Sequence, residues 1–127
     1  MPKVLLVEDN EANIETYVPY LERIGYRMAV ARNGYEAIAR ARALRPGVII
    51  MDIMLPELDG LEAIRRIRAD DDLAGVPIIA VSALASPADE ARCLAAGANE
   101  YLGKPVQLRK LADVIAARLA RSHLEHA

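Results

Sequence analysis

Five short apolar runs, each followed by a longer stretch of helical periodicity, constrain the fold of this chain more than any other feature. The runs are VLLV (4–7), MAVA (28–31), VIIM (48–51), IIAV (78–81) and the weaker NEYL (99–102). Between the runs, apolar residues recur every three or four positions, as in Ile14, Val18 and Leu21. This alternation predicts an α/β fold, a doubly wound, five-stranded parallel sheet with helices on both faces.

The polarity of the runs predicts where each strand lies in the sheet. The first, third and fourth runs are apolar throughout, as strands buried on both faces are. The second run follows Arg27 and the fifth begins with polar residues, so we expect both at the edges of the sheet. No linker or break in composition divides the 127 residues. We therefore expect one domain, residues 1–121, with residues 122–127 as a C-terminal tail.

Capping residues mark the helix boundaries. Asn33 precedes Glu36 by three positions, which is the spacing of a capping box. Asp59 precedes Glu62 by the same interval. Pro19 interrupts the first helical pattern, where its missing backbone N–H is expected to kink or split the helix.

Composition and charge argue against several classes of protein. The chain carries 16 basic and 18 acidic residues, so it has no positive excess with which to hold the phosphates of nucleic acid. No apolar run approaches the about 20 residues of a membrane span, and the first residues lack the pattern of a signal peptide. Cys93 is the only cysteine, so no intrachain disulfide can form. These features predict a soluble, cytoplasmic protein that binds neither nucleic acid nor membrane.

Polar residues follow four of the predicted strands at their carboxyl ends. Glu8 and Asp9 follow the first strand, and Asp52 follows the third. Ser82 ends the fourth strand, and Lys104 lies just after the fifth. Ligand-binding groups of an open parallel sheet gather at the carboxyl ends of its strands. We therefore expect these five side chains to converge on one edge.

This set of side chains favours phosphoryl chemistry with a divalent cation. Two carboxylates about 4 Å apart repel by roughly 4 kcal/mol at an effective dielectric constant of about 20, and Lys104 alone cannot balance three acids. Oxygen ligands suit Mg²⁺, which would offset that repulsion. An aspartate such as Asp52 can act as a nucleophile toward phosphorus, while Ser82 and Lys104 bind the other phosphoryl oxygens.

Each of these residues also has an ordinary structural interpretation. An acid such as Asp52 after a buried strand is commonly a cap or a turn residue, and Ser82 alone is typical of a turn. Lys104 alone is typical of a solvated surface. Their joint position at the ends of four strands is the observation that favours chemistry over structure.

Four motifs make the chain resemble the receiver domain of two-component response regulators. They are VLLVEDN, MDIMLPELDGLE, AVSA and YLGKP, and the similarity extends from Lys3 to about Ala120. Within that family, LVEDN and DDDLAGVPIIAVSA are most similar to stand-alone, CheY-like regulators of the DivK type. The resemblance implies a flavodoxin-like (βα)5 fold with strand order 2-1-3-4-5.

The resemblance also implies a role for each residue at the strand ends. Asp52 would be the phosphoacceptor, with Lys104 and Ser82 assisting the transfer. The metal ligands would be Asp52, Asp9 directly, Glu8 through water, and the backbone carbonyl of Met54, with Mg²⁺ as the cofactor. Ser82 and Tyr101 would be the switch residues, and Lys104–Pro105 would be a cis peptide bond. From the residues alone, the favoured interpretation of Tyr101 is a half-buried packing residue of an edge strand.

The implied function is a signalling switch rather than an enzyme acting on a free substrate. A sensor histidine kinase or a histidine phosphotransfer protein would donate the phosphoryl group. The response would appear on the fourth helix, the fifth strand and the fifth helix, about residues 86 to 121, where a downstream protein binds. We expect a monomer or a weak homodimer.

Three other functions are compatible with part of this sequence pattern. A phosphatase of the haloacid dehalogenase type needs a second acid two residues after its nucleophile, and that position here is Met54. A nucleotide-binding domain needs a glycine-rich loop after the first strand, and none follows Val7. A receiver-like interaction module that has lost phosphorylation stays open, although the full set of site residues argues against it.

Overall fold

The structure, a computed structural model, describes the backbone of residues 3–84 and 86–126 and the side chains of these ranges up to residue 121. Its elements, in chain order, are β1 (Lys3–Val7), α1 (Glu11–Ile24), β2 (Arg27–Ala31), α2 (Gly34–Leu44), β3 (Val48–Asp52), α3 (Gly60–Ala69), β4 (Ile78–Ser82), α4 (Pro87–Ala96), β5 (Glu100–Gly103) and α5 (Leu108–His126). All strands pair in parallel in the order β2-β1-β3-β4-β5. The predicted doubly wound (βα)5 fold is thus confirmed.

Two aliphatic layers cover the sheet because successive strand residues point to opposite faces. Leu6 and Ile50 pack with Leu21 of α1 and Ile115 of α5 on one face. The neighbouring strand residues pack on the other face against α2, α3 and α4, where Ile64 is fully buried. Helices on both faces explain why the runs VLLV, VIIM and IIAV of β1, β3 and β4 are apolar throughout.

The edge strands are more exposed than the central ones, as predicted. In β2, Arg27 is exposed and the three residues after it are half-buried. In β5, Glu100 and Tyr101 are half-buried. These strands lie at the ends of the order β2-β1-β3-β4-β5, which leaves the purely apolar strands in the middle of the sheet.

The helix boundaries follow the predicted caps. Asn33 accepts a hydrogen bond from the Glu36 N–H at 2.9 Å, and Asp59 caps α3 in the same way. Pro19 was predicted to kink or split the first helix, and a split is wrong, because α1 is continuous from Glu11 to Ile24; a kink stays a prediction. Pro19 is exposed, so water can satisfy the carbonyl that loses its intrahelical donor.

The last helix, α5, extends beyond the domain that the sequence predicts. The backbone of α5 is helical up to His126, while the side chains of residues 122–127 lie outside the described residues. The division into a domain and a tail at residue 121 therefore stays a prediction. Within the part of the chain that the structure describes, no helix combines the length and the hydrophobicity needed to cross a membrane.

Gly60 lets α3 begin directly against the end of β3. A Cβ at this position would lie 2.4 Å from the Asp52 carbonyl oxygen and 2.6 Å from the Ile53 Cα, both of them backbone atoms. The Gly60 N–H also donates to the Ile53 carbonyl at 3.0 Å. The glycine thus fixes the strand end that carries Asp52.

Replacing Gly60 by alanine is expected to destabilise the fold by about 1–3 kcal/mol, because the added methyl group meets backbone atoms that cannot move aside. Urea unfolding measures the loss. Gly75→Ala is the matched control, because no atom of a non-neighbouring described residue lies within 4 Å of its added carbon, and its effect should be about 0.5 kcal/mol or less. Equal effects of the two substitutions would contradict this account of the packing.

Candidate functional site

The predicted side chains lie at the ends of four strands, along one edge of the sheet. Asp52 is the last residue of β3 and Ser82 the last residue of β4, while Glu8 and Lys104 directly follow β1 and β5. Backbone hydrogen bonds continue the pairing past the strands, from the Glu8 N–H to the Ala31 carbonyl at 2.9 Å and from the Lys104 N–H to the Ser82 carbonyl at 2.8 Å. The polar residues are therefore held as firmly as the strands themselves.

Lys104 contacts two buried acids at once. Its Nζ lies 3.0 Å from Asp52 Oδ2 and 3.4 Å from Glu8 Oε1. Asp52 is 4% exposed and Glu8 is 1% exposed. Residues 8, 52 and 104 are far apart in sequence, so the order of the strands brings them together.

Asp9 completes a cluster of three acids. Each of Glu8, Asp9 and Asp52 offers a carboxylate oxygen within 4.8 Å of the other two, and Asp9 is the exposed member. One ammonium group, on Lys104, contacts this cluster among the described residues. Three carboxylates facing one ammonium leave an excess of negative charge, and their oxygen atoms are the ligands that Mg²⁺ prefers. The residues therefore fit a divalent cation.

The electrostatics of the cluster are visible in two pKa shifts. Burial, together with the hydrogen bond and negative charge of Asp52, raises the pKa of Glu8 from 4.5 to about 7. Burial acts to lower the pKa of Lys104, but the hydrogen bond to Asp52 and the charges of Asp52 and Glu8 outweigh it and raise this pKa. Lys104 thus stays a cation, while Glu8 holds a proton more tightly than an exposed glutamate does.

Two contacts of the site were missed from the sequence. The Met54 N–H donates to Asp52 Oδ1 at 3.1 Å, so the residue singled out for its carbonyl also orients the carboxylate. The Nδ2 of Asn13 donates to Glu8 Oε1. Asn13 lies three residues after the cap Asn10, and this spacing could have indicated that its side chain is near the start of α1. Capping alone, however, does not predict which residue that side chain contacts.

Ser82 and Tyr101, the predicted switch residues, lie at the end of β4 and in β5. Ser82 is buried, and its Oγ accepts a hydrogen bond from the Leu84 N–H at 3.0 Å. The hydroxyl of Tyr101 is buried and has no hydrogen-bond partner among the described residues. By the alternation of strand residues, both side chains point to the α2-α3-α4 side of the sheet, whereas Glu8 and Asp52 share the α1-α5 side. The Lys104–Pro105 peptide bond is cis, as predicted.

Comparison with known proteins identifies the family. Residues 4–116 match the model described as the response regulator receiver domain. The chain belongs to this family. The receiver is 42% identical over 120 residues to the polar-differentiation response regulator DivK of Brucella anthropi, which covers 94% of this chain and 98% of that protein. DivK of Brucella melitensis is 38% identical over 116 residues, 91% of this chain and 94% of that protein.

Solved receiver domains share the fold of this receiver. The receiver domain of sensor histidine kinase PA1611 from Pseudomonas aeruginosa is 39% identical, with a TM-score of 0.87 over 94% of this chain and 98% of that one, and that protein holds a magnesium ion in its active-site cleft. The receiver domain of Francisella response regulator 1452 is 29% identical, with a TM-score of 0.91 over 96% and 99% of the two chains. The resemblance seen in the sequence is confirmed, and the chain is a phosphoacceptor module of two-component signalling.

The metal-free receiver is expected to lose stability as the pH rises from about 4.5 to about 7, because Glu8 has a pKa of about 7 in the folded chain and an ordinary value of 4.5 when unfolded. Over that interval the folded state binds more protons than the unfolded state, so rising pH favours unfolding. The measurement is denaturant unfolding across this range with a chelator of divalent cations present.

Glu8→Gln should remove this part of the pH dependence, because a glutamine does not titrate. Glu15→Gln is the control, since Glu15 is an exposed glutamate of α1, and it should retain the native dependence. A Glu8→Gln receiver with an unchanged slope would show that Glu8 titrates as an ordinary carboxyl.

Proposed function

We propose that Asp52 is the phosphoacceptor and that the donor is a phosphohistidine on a sensor histidine kinase or a histidine phosphotransfer protein. The contact of Lys104 Nζ with Asp52 at 3.0 Å carries the proposal. It places a cation beside a carboxylate that is 4% exposed at the open end of the sheet. A nucleophile for phosphorus needs such a cation, because negative charge accumulates on the phosphoryl oxygens during transfer.

The acid cluster is the proposed magnesium site. Asp9, Asp52 and the backbone carbonyl of Met54 would be direct ligands, and Glu8 would act through water. When bound, Mg²⁺ neutralises the acids and the oxygens of the phosphoryl group. The support comes from the three carboxylates within 4.8 Å of one another, which carry more negative charge than Lys104 balances.

The proposed reaction is an in-line transfer. A carboxylate oxygen of Asp52 attacks the donor phosphorus, so a P–O bond forms and the P–N bond to the imidazole breaks. The electron pair of the broken bond stays on the imidazole nitrogen, which takes up a proton from water. Lys104, and Ser82 once it rotates, hydrogen-bond the transferred oxygens. Water later hydrolyses the aspartyl phosphate to free carboxylate and inorganic phosphate, so the domain assists its own phosphorylation and dephosphorylation.

A groove beside the acids gives the donor a place to approach. It has a volume of about 500 Å³ and lies between α1 and the segment after β5. Its walls include Tyr17, Ala83 and Val106, and Lys104 reaches it from the acid cluster. A histidine presented by a partner helix fits this arrangement, because an apolar wall next to a cation suits an imidazole that carries a phosphoryl group.

The proposed response begins at Ser82. A phosphoryl group adds about two negative charges and new acceptor oxygens. The Ser82 hydroxyl, now held by the Leu84 N–H, would turn to bond it and draw the loop before α4 along. Tyr101 shares the α4 side of the sheet and would follow. The changed surface would be α4, β5 and α5, and only the extra stabilisation of the new arrangement shifts the population.

The partners follow from the family. Receiver domains interact with histidine kinases and with downstream targets, and we propose that the downstream protein binds the surface of α4, β5 and α5. A monomeric or weakly dimeric state and a cytoplasmic location stay predictions.

Acetyl phosphate with Mg²⁺ is expected to label the native chain, and Asp52→Asn should abolish the label, because an amide is not a nucleophile for phosphorus. Mass spectrometry of the intact protein measures the added phosphoryl group. Asp59→Asn is the matched control, because Asp59 caps α3 through its side-chain oxygen and asparagine caps equally well.

The outcomes of labelling separate the alternatives. A native chain that takes no phosphoryl group would favour the inert interaction module. Equal labelling of the Asp52→Asn and native chains would mean that another residue is the acceptor.

Phosphorylation is expected to change hydrogen exchange in residues 86–121 of the native chain, and Ser82→Ala should accept the phosphoryl group but lose most of that change. The reason is that alanine cannot bond the new oxygens. Hydrogen–deuterium exchange under excess acetyl phosphate measures both chains. Thr16→Ala, which removes a hydroxyl bonded within α1, should respond as the native chain does. A full response in Ser82→Ala would exclude the serine as the trigger.

A further inference from the structure

The third residue of α1 differs from its counterparts in the other capped helices. In α2, α3 and α4 the caps Asn33, Asp59 and Ser86 accept hydrogen bonds from the N–H groups of Glu36, Glu62 and Asp89. In α1 the cap Asn10 accepts from the N–H of Asn13. Among the helices with a described cap, α1 alone thus has a neutral residue at this position, and α1 is the helix that begins beside the acid cluster.

The side chain at this position can reach back toward the start of its helix, where it meets the residues that precede the helix. In α2, Glu36 uses this direction as a capping box does, accepting hydrogen bonds from the Arg32 N–H and from the Asn33 side chain. In α1 the same direction leads to the end of β1. There the Nδ2 of Asn13 donates to Glu8 Oε1. An amide can donate to this carboxylate, whereas a glutamate would have repelled it.

Asn13 therefore contacts one of the two carboxylate oxygens of Glu8. Oε1 is taken by the Asn13 amide and, at 3.4 Å, by Lys104 Nζ. Oε2 lies 3.5 Å from Lys104 Nζ, and the Glu8 carboxyl also meets that of Asp52. Because the Asn13 amide holds Oε1, the side chain of Glu8 cannot rotate freely within the cluster that it forms with Asp9 and Asp52.

We propose that Asn13 is a positioning residue of the magnesium site, which holds the Glu8 carboxylate in the orientation that the ion requires. This inference rests on the proposed function of the acid cluster. Asn10 takes part indirectly, because its side chain fixes the Asn13 backbone N–H at 3.0 Å. Groups that orient metal ligands typically change metal affinity by about 10- to 100-fold when they are removed.

The test is the affinity for Mg²⁺ alone, measured as the rise of the unfolding midpoint with Mg²⁺ concentration. Asn13→Leu keeps the branched shape of the side chain without a donor, and it should weaken Mg²⁺ binding about tenfold. Asn13→Gln keeps an amide donor and should recover much of the affinity.

Glu36→Ala is the matched control. It truncates the residue at the same helix position of α2, far along the chain from the acids, and should lower the unfolding midpoint without changing the Mg²⁺ dependence. A merely structural role of Asn13 would give the same behaviour in Asn13→Leu, namely a lower midpoint with a native response to Mg²⁺. That result would overturn the inference while leaving the proposed function standing.

Two further outcomes are decisive. A native chain whose midpoint does not respond to Mg²⁺ would overturn both the inference and the proposed metal site. Native Mg²⁺ affinity in Asn13→Leu, combined with slower phosphotransfer from a phosphohistidine protein, would assign Asn13 to the donor groove that it also lines, and would overturn the positioning role.

Discussion

Several carboxylates of this domain repel one another, and the sheet does not allow them to separate. The other features of the site follow from this repulsion. Glu8 and Asp52 continue β1 and β3, whose parallel pairing fixes the spacing of their ends. Lys104 offsets part of the charge, while burial, together with the hydrogen bond and negative charge of Asp52, raises the pKa of Glu8. The packing of the aliphatic layers stabilises the fold that holds the acids together. The remaining negative charge favours a divalent cation, and that cation, together with Lys104, would then attract the oxygens of a phosphoryl group.

The site residues lie on two different faces of the sheet. Strand alternation puts Glu8 and Asp52 on the side of α1 and α5, and puts Ser82 and Tyr101 on the side of α4. The residues of the proposed phosphoryl transfer and those of the proposed response thus lie on opposite faces of the same sheet. Asp52 ends β3 and Ser82 ends the neighbouring β4, so the two residues lie at the same end of the sheet. This arrangement supports the proposal that a serine at the end of β4 carries the response across the sheet.

A local motif serves two purposes at the start of the helices. In α2, α3 and α4 the third helical residue is an acid of the first turn, namely Glu36, Glu62 and Asp89. In α1 this position holds Asn13, and its side chain contacts Glu8 instead. The replacement of an acid by an amide follows from electrostatics, because a fourth carboxylate beside the cluster would add to the repulsion. A small change in a common motif therefore links helix capping to the metal site.

The type and order of the elements, the central and edge strands, and the position of Asp52 and Lys104 at one edge of the sheet could all be predicted from the residues. These depend on short-range physics, namely the periods of strand and helix, capping, and the shared direction of parallel strands. The strand order came from resemblance to a family, not from the residues. Only the tertiary structure decided that Lys104 touches both Glu8 and Asp52, that Pro19 leaves α1 unbroken, and that Asn13 faces an acid. Such contacts depend on register and on distances between elements far apart in the chain, which no local pattern of residues encodes.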